Sequence, residues 1–174
     1  SPWSKAVILA KRRHGSVIER FGAIVASHLE HLLERGESYV ITPVPGDPDR
    51  ERHLFPELDR YMTEILADCI QAALKNRYRI EVMNLLVQVR PKPRRQHQCQ
   101  NTTERIENVR GLYALRNGAV LDNDTVILVD DVITSGATMA ECAKVLRGVG
   151  AKEVIGVALA RTVRLKTEDT LPGE

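Results

Sequence analysis

The stretch VILVDDVITSGATM, from Val126 to Met139, decides the predicted fold of this chain. Its first four residues are apolar and β-prone, which predicts a fully buried strand. Asp130 and Asp131 follow, and the small, hydroxyl-rich turn from Thr134 to Thr138 then opens a helical pattern. The N–H groups of such a turn and helix N-terminus suit a phosphate, and the carboxylates before it can accept hydrogen bonds from sugar hydroxyls. An ordinary turn with an Asp N-cap explains one carboxylate but not two followed by TSGAT.

The chain on both sides of this stretch alternates strand and helix patterns. Apolar periodicity predicts helices over residues 17 to about 34, about 56–75 and 138 to about 147. Strands are predicted over 38–44, 80–89, 126–129 and 153–160, with a small hairpin over 112–121 that turns at Asn117-Gly118. The alternation predicts one α/β domain over residues 1–174 with a mostly parallel sheet. The buried face of the first helix should carry Ile18, Phe21, Val25, Leu29 and Leu32.

A second candidate segment follows the strand predicted over 38–44. Ligands in parallel α/β sheets sit beyond the carboxyl ends of the strands, so this segment and Asp130-Asp131 should share one rim. Its residues Pro45, Gly46 and Asp47 form a rigid turn in which Gly46 permits close approach of the backbone to a ligand. The alternative is a stiff turn of no chemical interest.

Residues 90–110 lack an apolar period, and they predict an irregular, flexible loop. Basic residues dominate it, with only Glu104 and Glu107 as acids; they are Arg90, Lys92, Arg94, Arg95, Arg105 and Arg110. A lid that brings positive charge over a bound anion is the favoured interpretation. A solvated basic loop and a nucleic-acid patch are the alternatives, although the segment has no aromatic residue for base stacking. The tail over 162–174 is weakly patterned.

Composition narrows the class of protein. The 174 residues are 43% hydrophobic, enough for a real core, and the net charge of +2 gives no global field for nucleic acid. The three cysteines are too dispersed for a zinc ribbon or a disulfide framework, and Cys69 and Cys142 fall in apolar helical patterns. His28 and His31 have no third ligand nearby, which favours solvated histidines over a metal pair. Without a membrane span or secretory signal, a cytoplasmic protein is expected.

The residues from Asp130 to Thr138 resemble the phosphoribosyl-pyrophosphate signature of type I phosphoribosyltransferases. The resemblance implies a mostly parallel sheet flanked by helices, with a flexible loop and a small hood. Asp130 and Asp131 would hold the ribose 2′- and 3′-hydroxyls, touching Mg²⁺ only indirectly, through ligand or water. The 5′-phosphate would be bound by Val132, Thr134, Ser135, Gly136, Ala137 and Thr138. Pyrophosphate would contact the loop residues Pro45, Gly46, Asp47, Arg90, Arg94 and Arg95.

The segment QCQNTTERIENVRGLYAL, residues 98–115, is similar to the competence-protein ComF family, often labelled amidophosphoribosyltransferase-like. The matching residues are Arg105, Asn108-Val109 and Tyr113, and the resemblance implies a catalytic role for Arg105. That family often carries an N-terminal cysteine zinc ribbon, which this sequence lacks. It also has an Arg-Gly-Phe-Asn-Gln run where residues 52–56 read RHLFP. Thr134 replaces the acid of hypoxanthine-type enzymes, so a base-proton shuttle there is not expected.

By resemblance, the expected activity is that of a pentosyltransferase. The chain would use phosphoribosyl pyrophosphate with Mg²⁺ and transfer the phosphoribosyl group to an unknown nucleophile or to water. The alternative is a non-catalytic module that senses a nucleotide and binds nucleic acid or a competence-machinery protein through its basic loop. A homodimer is the family-level expectation.

Overall fold

The computed structural model describes residues 15–46, 60–93, 99 and 101–161. Within these parts the chain forms four α-helices and six β-strands. In chain order they are α1 (Gly15–Leu29), β1 (Ser38–Pro43), α2 (Met62–Leu74), β2 (Arg79–Val82), β3 (Leu86–Gln88), α3 (Thr102–Val109), β4 (Tyr113–Leu115), β5 (Thr125–Ile133), α4 (Ala137–Gly148) and β6 (Glu153–Arg161).

The main sheet has the strand order β2-β1-β5-β6, and all of its neighbouring strands run parallel. This confirms the predicted α/β class with a mostly parallel sheet. The register pairs Pro43 with Val129, and the N–H of Val44 then donates to the carbonyl of Val129 at 2.8 Å. The end of β1 therefore lies directly beside the acid pair on β5, on the shared rim that the topology predicted.

Two apolar clusters cover the two faces of this sheet. One joins α1 and α2 to β1 and β5, where Gly22 lets the helices approach so closely that a Cβ on it would lie 2.5 Å from Cys69 Cβ. The other joins α4, the end of α3, β3 and β4 to the opposite face. The central strand β5 is fully buried from Val126 to Val129, as its continuous apolar run predicted.

The strand predicted over residues 80–89 is wrong as a single element. The chain leaves the main sheet after Val82, and Leu85 N–H is fixed by Thr42 Oγ1 at 3.1 Å before β3 begins. β3 then pairs antiparallel with β4 in a separate two-stranded sheet. The predicted hairpin over 112–121 is wrong for the same reason. Its turn exists, with Ala119 N–H donating to Arg116 C=O at 3.0 Å, but the partner of β4 is β3.

The loop predicted over residues 90–110 is corrected in its second half, which contains the helix α3. Asn101 Oδ1 caps this helix by accepting from Glu104 N–H at 2.8 Å. Only Asn108 and Val109 of the helix are buried, so there was no apolar period from which to recognise it. Arg94 and Arg95 lie outside the described residues.

Other boundaries shift by a few residues. α1 ends at Leu29, and Leu32 is 62% exposed rather than buried, because the chain turns away after the helix. β5 continues through Ile133, so both acids belong to the strand itself. The start predicted for the second helix, near Pro56, falls outside the described residues, as does the tail over 162–174. No helix in the described parts is both long and apolar enough to cross a membrane.

Candidate functional site

The turn between β5 and α4 has the backbone of an anion site. Gly136 occupies the N-cap position of α4 in the left-handed conformation, with φ of 78°, which glycine adopts without strain. Ser135 Oγ accepts from Ala137 N–H at 3.4 Å, and the first turn of α4 contains no acidic residue that would repel an anion. The N–H groups that open α4 and its dipole therefore face the turn, where a phosphate would be stabilised.

The acid pair precedes this turn on β5. Asp130 Oδ1 accepts the N–H of Asp131 at 2.8 Å, and Asp131 Oδ1 accepts the N–H of Val132 at 2.7 Å. These bonds fix each carboxylate against the backbone N–H of the following residue. Both side chains are half-buried. Both carboxylates are thus held in place by the backbone without a ligand, as a preorganised binding site requires.

Asp130 is electrostatically perturbed. Burial, and after it the negative charge of Asp131, raise the pKa of its carboxyl to about 7. The backbone N–H of Asp131 and the positive charge of Lys92 act in the opposite direction. A buried acid beside a second acid costs folding free energy, and such groups cluster at functional sites.

The positive charge of Lys92 acts on this site, although the sequence offered Lys92 only as one basic residue among several. Its charge lowers the pKa of Asp130 and also opposes the burial that raises the pKa of the Cys142 thiol on α4. The ammonium group of Lys92 is half-buried. Because its charge acts on both Asp130 and Cys142, it lies near the junction of β5 and α4. The only sequence signal for it was the rigid Pro91-Lys92-Pro93.

The backbone leading to Lys92 is anchored. Val89 N–H donates to Leu112 C=O at 2.9 Å. Gln88 Nε2 donates to Arg90 C=O at 2.9 Å, and Arg90 Nη2 donates to Arg110 C=O at 2.7 Å. The predicted pyrophosphate residue Arg90 therefore ties together the two ends of the loop, and contact between Arg90 and a ligand stays a prediction.

The turn after β1 is held on both sides of Val44. Its N–H donates into β5, as described above, and its carbonyl accepts from the buried Thr63 hydroxyl at 3.0 Å. A Cβ on Gly46 would lie 2.1 Å from Tyr61 Cδ1. Packing against Tyr61 therefore requires glycine here, which sequence reasoning had attributed to a ligand. A pyrophosphate contact at Pro45 and Gly46 stays a prediction, and Asp47 lies outside the described residues.

Replacing Thr63 by valine should destabilise the protein by about 1–2 kcal/mol, because the buried carbonyl of Val44 loses its side-chain donor. Urea denaturation of the wild type and the variant measures the difference. Thr103→Val, on the exposed surface of α3, is the matched control and should stay within about 0.5 kcal/mol. Equal effects of the two substitutions would contradict a special role for the Thr63 hydroxyl.

Arg105 lies on α3, which packs against α4. Its Nε is buried and receives no hydrogen-bond partner from the part of the chain that the structure describes. The connection after α3 is fixed to α4 by Gly111 N–H, which donates to Glu141 Oε1 at 2.7 Å. The structure therefore brings Arg105 to α4, the helix that follows the turn after β5, and the catalytic role of Arg105 stays a prediction.

A resident metal centre made of side chains alone does not fit the described residues. None of their His, Cys, Asp and Glu side chains form a group of three or more that could hold an ion. Two adjacent carboxylates do fit a Mg²⁺ ion that arrives with a phosphorylated ligand, because Mg²⁺ keeps several waters and is often bound through one or two carboxylates plus phosphates.

The chain is similar in sequence to curated proteins that include two phosphoribosyltransferases and a transcriptional regulator. It is 40% identical over 70 residues to orotate phosphoribosyltransferase of Helicobacter acinonychis, in an alignment that covers 39% of this chain and 35% of the relative. It is 43% identical over 54 residues to adenine phosphoribosyltransferase 1 of Triticum aestivum, covering 31% and 30%. It is 39% identical over 56 residues to the transcriptional regulator GfcR of Methanosphaera stadtmanae, covering 32% and 28%. The chain thus matches about a third of the length of these relatives.

The fold is similar to that of a solved enzyme, described as the allosteric regulatory enzyme of purine biosynthesis. The TM-score is 0.50 at 23% identity, over 83% of this chain and 26% of that one. The model of the phosphoribosyl transferase domain family matches residues 80–171. This match covers just over half of the chain, including the acid pair and the turn between β5 and α4. The chain therefore belongs to the phosphoribosyl transferase domain family.

Proposed function

We propose that the chain binds 5-phosphoribosyl 1-pyrophosphate at the carboxyl edge of the main sheet and transfers its phosphoribosyl group to a nucleophile. One observation carries this proposal. The half-buried acid pair comes directly before a glycine-capped phosphate turn, within the segment that matches the family.

The acid pair and the turn bind different parts of the donor. Asp130 and Asp131 accept hydrogen bonds from the ribose 2′- and 3′-hydroxyls, since an ionised carboxylate is an acceptor with about four lone-pair sites. Residues Thr134 to Thr138, with Val132 before them, bind the 5′-phosphate through the N–H groups at the start of α4. These contacts to the ribose and the 5′-phosphate hold the C1 atom in place while positive charge develops on the ribose ring.

The leaving pyrophosphate faces the turn after β1 and the basic loop. Pro45, Gly46 and Asp47 offer backbone to it, and Lys92 with Arg90, Arg94, Arg95 and Arg105 supplies positive charge as negative charge builds on the leaving oxygen. Asp130 and Asp131 would hold a Mg²⁺ ion indirectly, through ligand or water, and the ion would supply positive charge that neutralises part of the negative charge on the leaving group. Closure of the loop excludes water from C1.

The acceptor is a nucleophile such as a nitrogen base or ammonia. The relatives named as orotate and adenine phosphoribosyltransferases favour a nitrogen base, and the ComF-like segment over 98–115 leaves ammonia and water as candidates. A second candidate function is nucleotide sensing without catalysis, which the relative named as a transcriptional regulator favours. In that role the basic loop binds nucleic acid or a protein of the competence machinery. A cytoplasmic location and a homodimer remain part of the proposal.

Pyrophosphate release separates the enzyme from the sensor. The wild type is incubated with the donor, Mg²⁺ and, in turn, orotate, adenine, hypoxanthine, ammonia or no acceptor. Release that depends on one acceptor supports transfer, and release without acceptor supports hydrolysis. Saturable donor binding without release in any reaction would contradict the enzymatic proposal and favour sensing.

Donor affinity should rise with pH through about 7, where Asp130 ionises, because an ionised carboxylate accepts hydrogen bonds from hydroxyls more strongly than a protonated one. Lys92→Met removes a charge that favours ionisation, so the midpoint should move to higher pH, while Lys92→Arg should leave it nearly unchanged. Calorimetric titrations between pH 6 and 9 measure these midpoints.

Asp130→Asn is the control for this pH dependence. The phosphates of the free donor titrate alike in every experiment, so the part of the pH dependence that Asp130→Asn abolishes belongs to Asp130. Identical midpoints for the wild type and Lys92→Met would contradict the placement of Lys92 beside the acid pair.

A further inference from the structure

The strand β6 forms one edge of the main sheet. It pairs with β5 along one side, and no strand in the described parts of the chain pairs with its other side. The N–H and C=O groups along the outer side of an edge strand are a template on which another strand can pair. We call the outer side of residues 153–161 the β6 edge.

The β6 edge lacks the residues that usually protect such a strand. β6 is nine residues long, and its sequence EVIGVALAR has neither a proline nor a charged residue between its two ends. Proteins commonly block an exposed edge strand with lysine, with proline or by making it very short. None of the side chains of β6 is fully buried, although α1 and α4 pack against the strand. The β6 edge is therefore open to pairing with a further strand.

The charges at the two ends of β6 are complementary to those of a second β6. When two copies of the strand run antiparallel with Val157 opposite itself, Glu153 of each copy lies opposite Arg161 of the other. Both side chains are exposed, and neither forms an ion pair with another residue that the structure describes. This register also places Ile155 opposite Leu159. A slip of two residues would place one charge of each pair against an apolar side chain, so the charges select the register.

The helix α1 places an apolar side chain beside the β6 edge. α1 contacts β6, whereas α2 contacts β1, β2 and β5 and so lies nearer the centre of the sheet. Gly22 is on the side of α1 that meets α2, where its nearest neighbour is Cys69. Ile24 follows two residues later, about 200° around the helix. Its side chain, which is 43% exposed, is therefore on the side of α1 that faces outward past β6.

We propose that the β6 edge is a dimerisation surface on which a second copy of this chain pairs through its own β6. The two strands run antiparallel about a two-fold axis at Val157, with Glu153 of each copy opposite Arg161 of the other. The two four-stranded sheets then form one continuous sheet of eight strands. Ile24 of each copy packs at the junction. This inference does not depend on the proposed donor site.

Charge reversal tests the pairing of the two strands. Sedimentation velocity over a range of chain concentrations measures the dissociation constant of the dimer. Glu153→Arg and Arg161→Glu should each weaken the dimer at least about 10-fold, because either substitution replaces two attractive pairs per dimer by two repulsive ones. The double variant restores both pairs and should return to within about 3-fold of the wild type. Arg79→Glu, at the start of the opposite edge strand β2, is the matched control and should change nothing.

A pair of cysteine variants tests the register. Residues directly opposite each other in antiparallel strands have Cβ atoms about 4.5–5.5 Å apart, close to the separation that a disulfide needs. In a Cys69→Ser background, Val157→Cys should therefore give a disulfide-linked dimer under mild oxidation. Ala158→Cys is the control, because in this register the two copies of residue 158 are not opposite each other, and it should stay unlinked.

The contribution of α1 is tested by Ile24→Ser. This substitution should weaken the dimer at least about 5-fold, because both copies lose an apolar contact at the junction. Ala23→Ser, at the exposed neighbouring position of the same helix, should leave the dissociation constant unchanged.

Three outcomes would overturn the inference. The first is a folded wild-type chain that stays monomeric at every concentration measured. The second is a dimer that neither Glu153→Arg nor Arg161→Glu weakens, because the interface would then lie elsewhere on the molecule. The third is equal cross-linking of Val157→Cys and Ala158→Cys, which would contradict a two-fold axis at residue 157.

Discussion

Replacing Asp130 and Asp131 together by asparagine should weaken binding of phosphoribosyl pyrophosphate by about 100-fold. Asparagine keeps the shape of each side chain but turns two charge-assisted hydrogen bonds to ribose hydroxyls into neutral ones. Each conversion loses about 1–1.5 kcal/mol. Calorimetric titration with Mg²⁺ at pH 8, where Asp130 is mostly ionised, measures the loss. An affinity within about 3-fold of the wild type would contradict a role for the pair in holding the sugar.

The free energy of unfolding of Asp130→Asn shows whether a loss of donor binding could come from a less stable protein. The pKa of Asp130 is higher in the folded protein than the ordinary value of 3.8, so the folded state binds more protons between these values. Stability contributed by the protonated form is therefore lost as pH rises toward 7. Asp130→Asn should accordingly raise the free energy of unfolding at pH 8 and change it little at pH 4. A variant that loses the donor while gaining stability shows that the acid is kept for binding.

Replacing Gly46 by alanine should destabilise the protein by about 1–3 kcal/mol or more, the usual cost of overpacking a rigid site. The added Cβ would lie 2.1 Å from Tyr61 Cδ1 and 2.4 Å from Cε1, so either the ring or the turn must move. The turn is tied to β5 and to Thr63, which leaves it little freedom to shift. Urea denaturation measures the cost.

A double-mutant cycle shows whether Tyr61 is the cause. In a Tyr61→Ala background the ring is gone, and Gly46→Ala should then cost less than about 1 kcal/mol. The same cost in both backgrounds would mean that backbone conformation, rather than the aromatic ring, requires glycine at this position.

The centre of the fold could be predicted from the sequence because its signals are local. The apolar run from Val126 to Val129 indicates a strand buried on both faces, and the small residues from Thr134 to Thr138 indicate a turn into a helix. Parallel topology then places the ends of β1 and β5 on one rim. The positions of the acid pair, of the turn over 134–138 and of the turn after β1 could therefore be predicted without any distance.

The second sheet could not be predicted because its pairing joins distant parts of the chain. The run IEVMNLLVQV is mostly apolar, and nothing in it shows that the backbone leaves the main sheet after Val82 to pair with residues 113–115. The helix α3 was not predicted because a helix that buries only its last two residues shows no hydrophobic periodicity. Its cap, Asn101 followed by Glu104, was the available signal.

The roles of Lys92 and Gly46 depend on neighbours that are far away in sequence. Lys92 stands among several basic residues, and only the folded chain shows that its charge acts on Asp130. Gly46 suits a ligand-binding turn by composition, yet its nearest neighbour is the ring of Tyr61. The sequence thus predicted which residues lie at the carboxyl edge of the sheet, but not which side chains each of them contacts or acts on.

Donor binding is tested most directly by titrating phosphoribosyl pyrophosphate with Mg²⁺ into the wild-type chain at pH 8 and measuring the heat. We expect saturable binding at one site per chain, with ribose 5-phosphate and pyrophosphate each binding more weakly because each fills only part of the site. Absence of saturable binding to the folded protein, or binding unchanged when Asp130 and Asp131 are both asparagine, would contradict the donor site at the end of β5.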